Sequence, residues 1–432
     1  MITAASLLLL LNVAADLRVA PFRADATPDM GEPLIWTTPV TKIMDPLYAK
    51  GVILESKGKR YVMCSMDWCG ISGSTHRMLT EALAKGANTK PEYVELHTLH
   101  QHSAPYVDGD AYALMRKLLP KPPLLMSDAY LAKLANNLTR AAQSATFQDI
   151  DQVGLGEAKV EKVASARRLK VDGKLVIRFS TGAKDPKMAA LPEAPIDPMI
   201  RTLTFASKGK PVARMHYYAT HPQTFCCDGR VSGDMINAAR EGFEKEDGGA
   251  MQINFDGAGG NVTVGKYNDG TDAAREALAE RLKQGIRDSV KATQWTSPGD
   301  VEWRAENIRL PHRPDLADHK AILAAPAKRT DIEIYRAAIS VVFAERKRPL
   351  TLTALRIGGI RILHMPGEVL LEYQNFARSL QPNVLVAAYG DLQSGYLCPD
   401  VAYQEGGYEP SASNAGPGTE AILKGAIRKL LR

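Results

Sequence analysis

Residues 92–106 read Glu92-Tyr93-Val94-Glu95-Leu96-His97-Thr98-Leu99-His100-Gln101-His102-Ser103-Ala104-Pro105-Tyr106. Glu92 to Leu96 reads as a strand, and Ser103-Ala104-Pro105 ends it, because proline cannot continue a ladder. Three of the chain's nine histidines fall within this stretch. On an extended backbone His100 and His102, two apart, project from one face and His97 from the other. Two imidazoles at a strand's end, facing a loop, suit a metal ion or proton transfer. A chance cluster on a polar loop explains an isolated H-x-H equally well, so the rest of the chain has to decide.

Upstream, Gly51 to Ser56 and Arg60 to Met66 read as a hairpin around Lys57-Gly58-Lys59. Its second strand runs into Asp67-Trp68-Cys69-Gly70, where an acidic residue at a strand end faces a site or caps a turn. Ser74 to Lys85 reads as a helix stopped by Gly86. With the histidine strand this makes a β-α-β unit. Leu17 to Leu34, with prolines at 21, 28 and 33, reads as a loop. Downstream, a long amphipathic helix spans Ser127 to Thr146, with Ser127 and Asp128 as caps. Alternating, Lys-rich strands fill Val153 to Phe205, and Val212 to Ala219 is a strand leading into Thr220-His221-Pro222. Ser232-Gly233-Asp234 opens a helix to Glu244. Ala250 to Phe255 is a strand running into D-G-A-G-G-N (256–261), and Ala273 to Thr293 is a helix. Val301 to Leu310 is a strand, and Asp315 to Arg346 is helical with a break near Pro326. Leu350 to Ile357 and Arg361 to His364 form a hairpin at Gly358-Gly359, leading into Pro366-Gly367-Glu368 and a helix to Leu380. A strand at Val384 to Ala388, a long loop from Tyr389 to Gly418 and a helix from Thr419 to Arg432 close the chain.

The 432 residues are 45% hydrophobic and 24% charged, ordinary for a globular protein with a large core. Length alone suggests two to three domains. There is no internal sequence repeat and no low-complexity linker, and strands and helices alternate throughout. The expected fold is therefore one large α/β domain over 16–432, with mixed β-sheets flanked by helices. Net charge is +6, but the basic residues are scattered, which argues against a nucleic-acid partner. A weak attraction to anionic surfaces, lipid headgroups included, allows peripheral membrane contact. Residues 1–15 are uncharged, contain five consecutive leucines and end in Val13-Ala14-Ala15. They read as a signal peptide, which implies a secreted or periplasmic protein, with cytoplasmic retention the alternative. The five cysteines show no zinc-ribbon spacing, and adjacent Cys226 and Cys227 are not expected to bond each other.

Polar signals recur just after apolar strands: His100/His102, Thr220-His221-Pro222, Asp256 with Asn261, Pro366-Gly367-Glu368 and Gly395-Tyr396. Open α/β sheets place their sites there. Two histidines and a carboxylate are also a familiar catalytic zinc set. Each signal alone has a plain structural reading: His221 could bond a buried carbonyl, Glu368 could favour a helix N-terminus, and the tyrosines could pack on a surface loop. The glycine-rich D-G-A-G-G-N lacks the Lys-Ser/Thr of a phosphate-binding loop.

The order of these motifs resembles the catalytic domain of the neutral ceramidases, zinc amidases that hydrolyse N-acyl-sphingosine. The family's H-T-H-S-G-P is matched by H-Q-H-S-A-P (100–105). Its H-P-T and S-G-D are matched by His221-Pro222-Gln223-Thr224 and Ser232-Gly233-Asp234, and its P-G-E by 366–368. Its terminal tyrosine block resembles Tyr396, Tyr403-Gln404, Tyr408-Glu409 and Ser411-Ala412-Ser413, with one extra residue before Ser413. The likeness runs from about Arg23 onward. It implies Zn²⁺ ligands at His100, His221, Glu368 and Tyr396, a general acid/base at His102, oxyanion stabilisation by Tyr408, and a substrate-contacting arginine at Arg167. The implied reaction is hydrolysis of the N-acyl amide of ceramide or a related lipid by a metal-activated water. Where the family has G-D-V-S-P-N, its proposed serine nucleophile falls on Gly259, which excludes an acyl-enzyme route through that position. The resemblance also implies that the family's C-terminal immunoglobulin-like domain is missing, which makes amide hydrolysis a firmer expectation than ceramide itself. The competing readings are a zinc hydrolase of another N-acyl or ester substrate and a non-catalytic secreted binding protein on the same scaffold.

Overall fold

Two of the three hairpins that organise the fold turn on the same four residues. Ser56-Lys57-Gly58-Lys59 and Ser207-Lys208-Gly209-Lys210 both place their central Lys-Gly pair at positive φ (49° and 74°; 50° and 74°). That backbone matches the twist of the flanking strands, and glycine at the second position relieves the steric cost. In this computed structural model, which describes residues 17–432, the third hairpin turns at Gly358, φ 57°. The leader reading of residues 1–15 lies outside the described residues.

Each hairpin begins a unit of the same topology: two antiparallel strands, a helix, and a third strand parallel to the second. The first unit is Tyr48–Ser56, Lys59–Met66, helix Gly73–Ala87 and Val94–Thr98. The second is Met199–Ser207, Lys210–Tyr218, helix Asp234–Glu246 and Met251–Asp256. The third is Leu350–Ile357, Ile360–His364, helix Leu371–Leu380 and Val384–Ala387. The chain has no sequence repeat, yet its topology repeats three times. Further strands complete the two five-stranded sheets and the four-stranded sheet. A second helix covers the outside of each unit: Asp128–Gln143, Asp272–Lys291 and Thr419–Leu431. The α/β reading with mixed sheets flanked by helices holds.

The inner faces of the three sheets meet in one buried cluster, with Val52, Leu54 and Met63 from the first, Leu203, Phe205 and Met215 from the second, and Leu355, Ile362 and Leu385 from the third. Burying each such side chain contributes roughly 1.5–3 kcal/mol, so the centre binds the sheets together. Because the parallel strands run the same way within each unit, the loops at their carboxyl ends carry His100, His221 and Glu368.

Several local readings need correction. The histidine strand is Val94–Thr98, and Pro91–Tyr93 is a turn of 3₁₀ helix. His100 lies beyond the strand at φ 60°, so His100 and His102 do not share one face of an extended segment. Arg18–Asp25, read as a loop because of Pro21, is a strand paired along its length with Tyr48–Ser56. Its other neighbour reaches only Arg18 and Val19, so the outer edge at Pro21 is unpaired, where a strand tolerates proline. The loop from Tyr389 to Gly418 contains helices Asp400–Glu405 and Tyr408–Ser411. Asp67 faces no ligand site; it is fully buried and takes a two-pronged pair from Arg240 at 2.9 and 2.7 Å. Cys226 and Cys227 are bonded to each other, with Cα atoms 3.8 Å apart, closer than ordinary bridges, which is why the pairing was not expected. The other three cysteines are free and buried.

Candidate metal centre

His100, His221 and Glu368 come from three different units and converge. Glu368 Oε2 lies 3.1 Å from His100 Nε2 and 3.4 Å from His221 Nε2. Ligand bonds of 2.0–2.1 Å in a tetrahedron put donor atoms about 3.3 Å apart, so the spacing already suits a zinc-sized ion. Both rings are held from behind. His100 Nδ1 donates to the Cys69 carbonyl (2.7 Å) and His221 Nδ1 to the Gly259 carbonyl (2.8 Å). Each bond places the proton on Nδ1 and leaves the Nε2 lone pair facing Glu368, the second-layer arrangement of ligating histidines. Glu368 Oε2 is buried with no hydrogen-bond partner, an orphan acceptor of the kind a cation satisfies. Burial disfavours charge on His100, yet Glu368 overrides it and holds its pKa well above the ordinary value. Burial likewise opposes ionisation of Glu368, and His100 and His221 outweigh it, keeping the carboxyl well below its usual range. The carboxylate therefore draws a positive charge to this point.

Tyr396 follows the Leu392–Ser394 turn and pairs its short strand with Glu368–Val369. Its hydroxyl donates to His221 Nε2 at 3.2 Å, so it reaches the same place as the other three donors. Burial raises its pKa well above that of free tyrosine, and only a nearby cation would let it ionise. His102 stands with its ring centre 5.0 Å from that of His100. Its Nε2 is buried and unpartnered. Burial, reinforced by His100 and His221, pushes its pKa well below the ordinary value and keeps the imidazole neutral. Cys69 also approaches His100, at 3.8 Å, but burial raises its pKa and keeps it a thiol rather than a ligating thiolate.

Arg167 is placed behind the cluster. Its Nε donates to Glu409 Oε1 at 2.7 Å, Nη2 to the Gly260 carbonyl, and Nη1 reaches His221 Nε2 at 3.5 Å. Its guanidinium lies over the rings of Tyr396 and Tyr408, 5.1 and 5.3 Å from their centres. With its donors so engaged, Arg167 positions the two tyrosines and His221. The Tyr408 ring meets that of Tyr396 at 5.8 Å, and burial raises its pKa, so its hydroxyl stays a donor. Two participants escaped the sequence reading. Glu409 is fully buried and also binds Arg168 at 2.8 Å; its only signal was its place beside Tyr408. Tyr389 stacks on His100 at 4.7 Å, and nothing in the sequence marked it.

His100, His102, Glu368, Tyr396 and Tyr408 line a pocket of about 60 Å³, bounded on its other sides by Ile35, Trp36, Tyr106, Ile339 and the charged Arg313 and Arg336. The segment after Tyr389 supplies one wall, through Gly395, Tyr396, Tyr408, Ala412 and Asn414. Outside it, Phe179 is 58% exposed and meets Tyr408 edge-on at 6.0 Å.

Compared with solved structures, the chain superposes on the neutral ceramidase of Pseudomonas aeruginosa with a TM-score of 0.73, covering 96% of this chain and 74% of that one at 16% identity. The chain has the neutral ceramidase fold. A ceramidase complexed with C2 gives a TM-score of 0.72 over 96% of this chain and 75% of the other, also at 16% identity. No protein-family model and no curated protein matches the sequence. Within the neutral ceramidase fold, Gly259 has a specific task here. Its carbonyl orients His221, and a Cβ at this position would come within 3.0 Å of the Thr220 backbone and 3.1 Å of the Tyr389 hydroxyl.

Proposed function

We propose that this protein is a zinc-dependent amidohydrolase of the neutral ceramidase type, cleaving the N-acyl amide of ceramide or a related lipid. The observation that carries the reading is the convergence of His100, His221 and Glu368, with both imidazoles locked by Nδ1–carbonyl bonds and their lone pairs turned to one point. His100, His221, Glu368 and Tyr396 would hold the ion. When bound, zinc supplies Lewis acidity, polarising a carbonyl and bringing the pKa of water near 7.

The chain's own groups supply the rest. His102, neutral and with a free Nε2, accepts the proton of the attacking water and returns one to the leaving amine nitrogen. Tyr408 donates its hydroxyl to the oxyanion that forms at the carbonyl oxygen. Arg167, anchored by Glu409, holds Tyr396 and Tyr408 in place and contributes positive potential behind them. With glycine at 259, no serine at this position competes with water as nucleophile. Phe179 and the apolar residues Ile35, Trp36 and Ile339 give an acyl chain surface to lie on, which favours a lipid over a small polar amide. An amphiphilic substrate fits peripheral contact with a membrane; among the described residues no helix is long and apolar enough to cross one. Export, directed by residues 1–15, belongs to the same proposal.

The test is metal analysis combined with hydrolysis of N-acyl-sphingosines and simple N-acyl amino acids. His100→Ala should abolish both zinc at this site and activity. His102→Ala should abolish activity with zinc retained. Loss of zinc in His102→Ala but not in His100→Ala would reverse the assigned roles. Activity confined to N-acyl amino acids or esters would favour the alternative hydrolase, and absence of zinc in protein purified without chelator would favour the binding protein.

A further inference from the structure

His97 points away from His100 and His102, as its position in the strand requires, into the junction between the first and third sheets. There its ring centre lies 5.3 Å from that of His364, the last residue of Ile360–His364. Glu95, two residues before His97 on the same face of Val94–Thr98, places Oε2 3.4 Å from His97 Nε2. One ligand atom from each of Glu95, His97 and His364 lies within 4.8 Å of the others. His97 and His364 are buried, and the Nε2 of each has no hydrogen-bond partner.

The hydrogen bonds around the cluster fix where its protons are. His97 Nδ1 donates to the Ala388 carbonyl at 2.7 Å, so this ring carries its proton on Nδ1. The Thr353 hydroxyl donates its one proton to Glu95 Oε1 at 2.6 Å, and so can only accept from His364 Nδ1 at 3.1 Å. The second ring is therefore also protonated on Nδ1. The His97 Nε2 lone pair then lies 3.4 Å from the Glu95 carboxylate, with the unpartnered Nε2 of His364 on the adjoining ring, an arrangement that a cation among the three groups relieves. An extra proton could serve only one nitrogen, over a long 3.4 Å contact with Glu95, and would leave the other lone pair unanswered. A divalent ion answers all three. Two imidazoles and one carboxylate, with both rings oriented from behind, are a donor set for zinc or a neighbouring transition metal rather than for calcium or magnesium.

We propose that Glu95, His97 and His364 form a second metal site, separate from the His100–His221–Glu368 centre, for one divalent transition-metal ion. It clamps the first sheet to the third. Glu95 and Thr353 also line a surface cavity of about 630 Å³, which gives an ion a route in and leaves its fourth position open to water.

The experiment is metal stoichiometry on the full chain after dialysis against Zn²⁺ or Co²⁺, with the Co²⁺ absorption spectrum as a second readout. The wild type should hold two ions per chain. His97→Ala and His364→Ala should each hold one, His100→Ala should also hold one, and the His97→Ala/His100→Ala double variant none. Thr353→Val keeps every ligand and the fold but frees the His364 ring, so affinity at this site alone should fall about 10–100-fold. A wild type that binds one ion, with His97→Ala, His364→Ala and Thr353→Val unchanged and His100→Ala at zero, would overturn the proposal. So would nitrogen NMR showing His97 as an imidazolium in protein saturated with Zn²⁺. Because His100→Ala is counted separately, failure of this site and failure of the catalytic assignment give different stoichiometries.

Discussion

Glu409 and Glu405 share Arg168, and replacing each by glutamine separates buried from exposed charge in one local network. Glu409 is fully buried and receives Arg167 Nε at 2.7 Å and Arg168 Nη1 at 2.8 Å. Arg167 is buried, and its remaining partners are a carbonyl, the His221 imidazole and two ring faces, none of which carries a full negative charge. In Glu409→Gln the amide oxygen can serve one guanidinium, while its NH₂ group must face the other. Leaving a buried charge uncompensated costs about 3–5 kcal/mol. Glu405, by contrast, has a side chain 24% exposed and contacts Arg168 at 3.1 Å and the exposed Lys170. Its loss should cost at most about 1 kcal/mol, because solvent screens the pair. Urea unfolding at neutral pH with zinc held constant measures both, the constant zinc being needed because a bound ion adds to apparent stability. Activity should fall in Glu409→Gln even where the protein remains folded, since Arg167 no longer holds Tyr396 and Tyr408. Equal losses in the two variants, or a loss under 1 kcal/mol in Glu409→Gln, would refute the assignment of Glu409 as the anchor of Arg167.

Gly259→Ser forces a Cβ against the Thr220 backbone next to His221, and should cost about 1–3 kcal/mol of overpacking and weaken zinc binding without producing an acyl-enzyme burst. Unchanged zinc affinity would show that Thr220 can yield freely. His216 is fully buried between Thr202 and Gln252, and burial pushes its pKa down to about 4. An unfolded histidine titrates near 6.5, so the unfolded chain takes up the proton first; the stabilisation is complete above pH 6.5 and about 3 kcal/mol is lost as pH falls to 4. Urea titrations at pH 7 and 4 should show this loss in the wild type and a smaller one in His216→Gln. Phe179→Ser should raise KM for long-chain N-acyl-sphingosine and leave stability within about 0.5 kcal/mol; an unchanged KM would remove Phe179 from the substrate path.

The parts of the fold carried by local chemistry were legible in the sequence. The Lys57-Gly58 turn, Ser127 accepting from Tyr130 N, and apolar strands running into His221 and Glu368 all read correctly from nearest neighbours. What stayed hidden depends on which distant residues meet. Glu409 takes its meaning from Arg167, on another part of the chain, and Tyr389 matters only because His100 lies over it. His97 was read as facing away from its neighbours, and it does. That His364 waits on the other side belongs to the packing of two sheets. The histidine pair itself was placed by the wrong geometry, an extended strand instead of a left-handed residue at His100, because a single positive φ leaves no mark in the pattern.

The threefold recurrence of one unit, each giving a single ligand, has a consequence for assembly. His100, His221 and Glu368 cannot be neighbours until all three sheets have docked, and no one unit holds two of them. Metal capture at this centre, as proposed above, would therefore be a late event whose rate follows the final docking step rather than the formation of any hairpin or helix. A chain arrested with one sheet undocked would retain most of its secondary structure and keep almost no affinity for an ion at the His100–His221–Glu368 centre. If the proposed assignment holds, an ion at this centre reports completed folding.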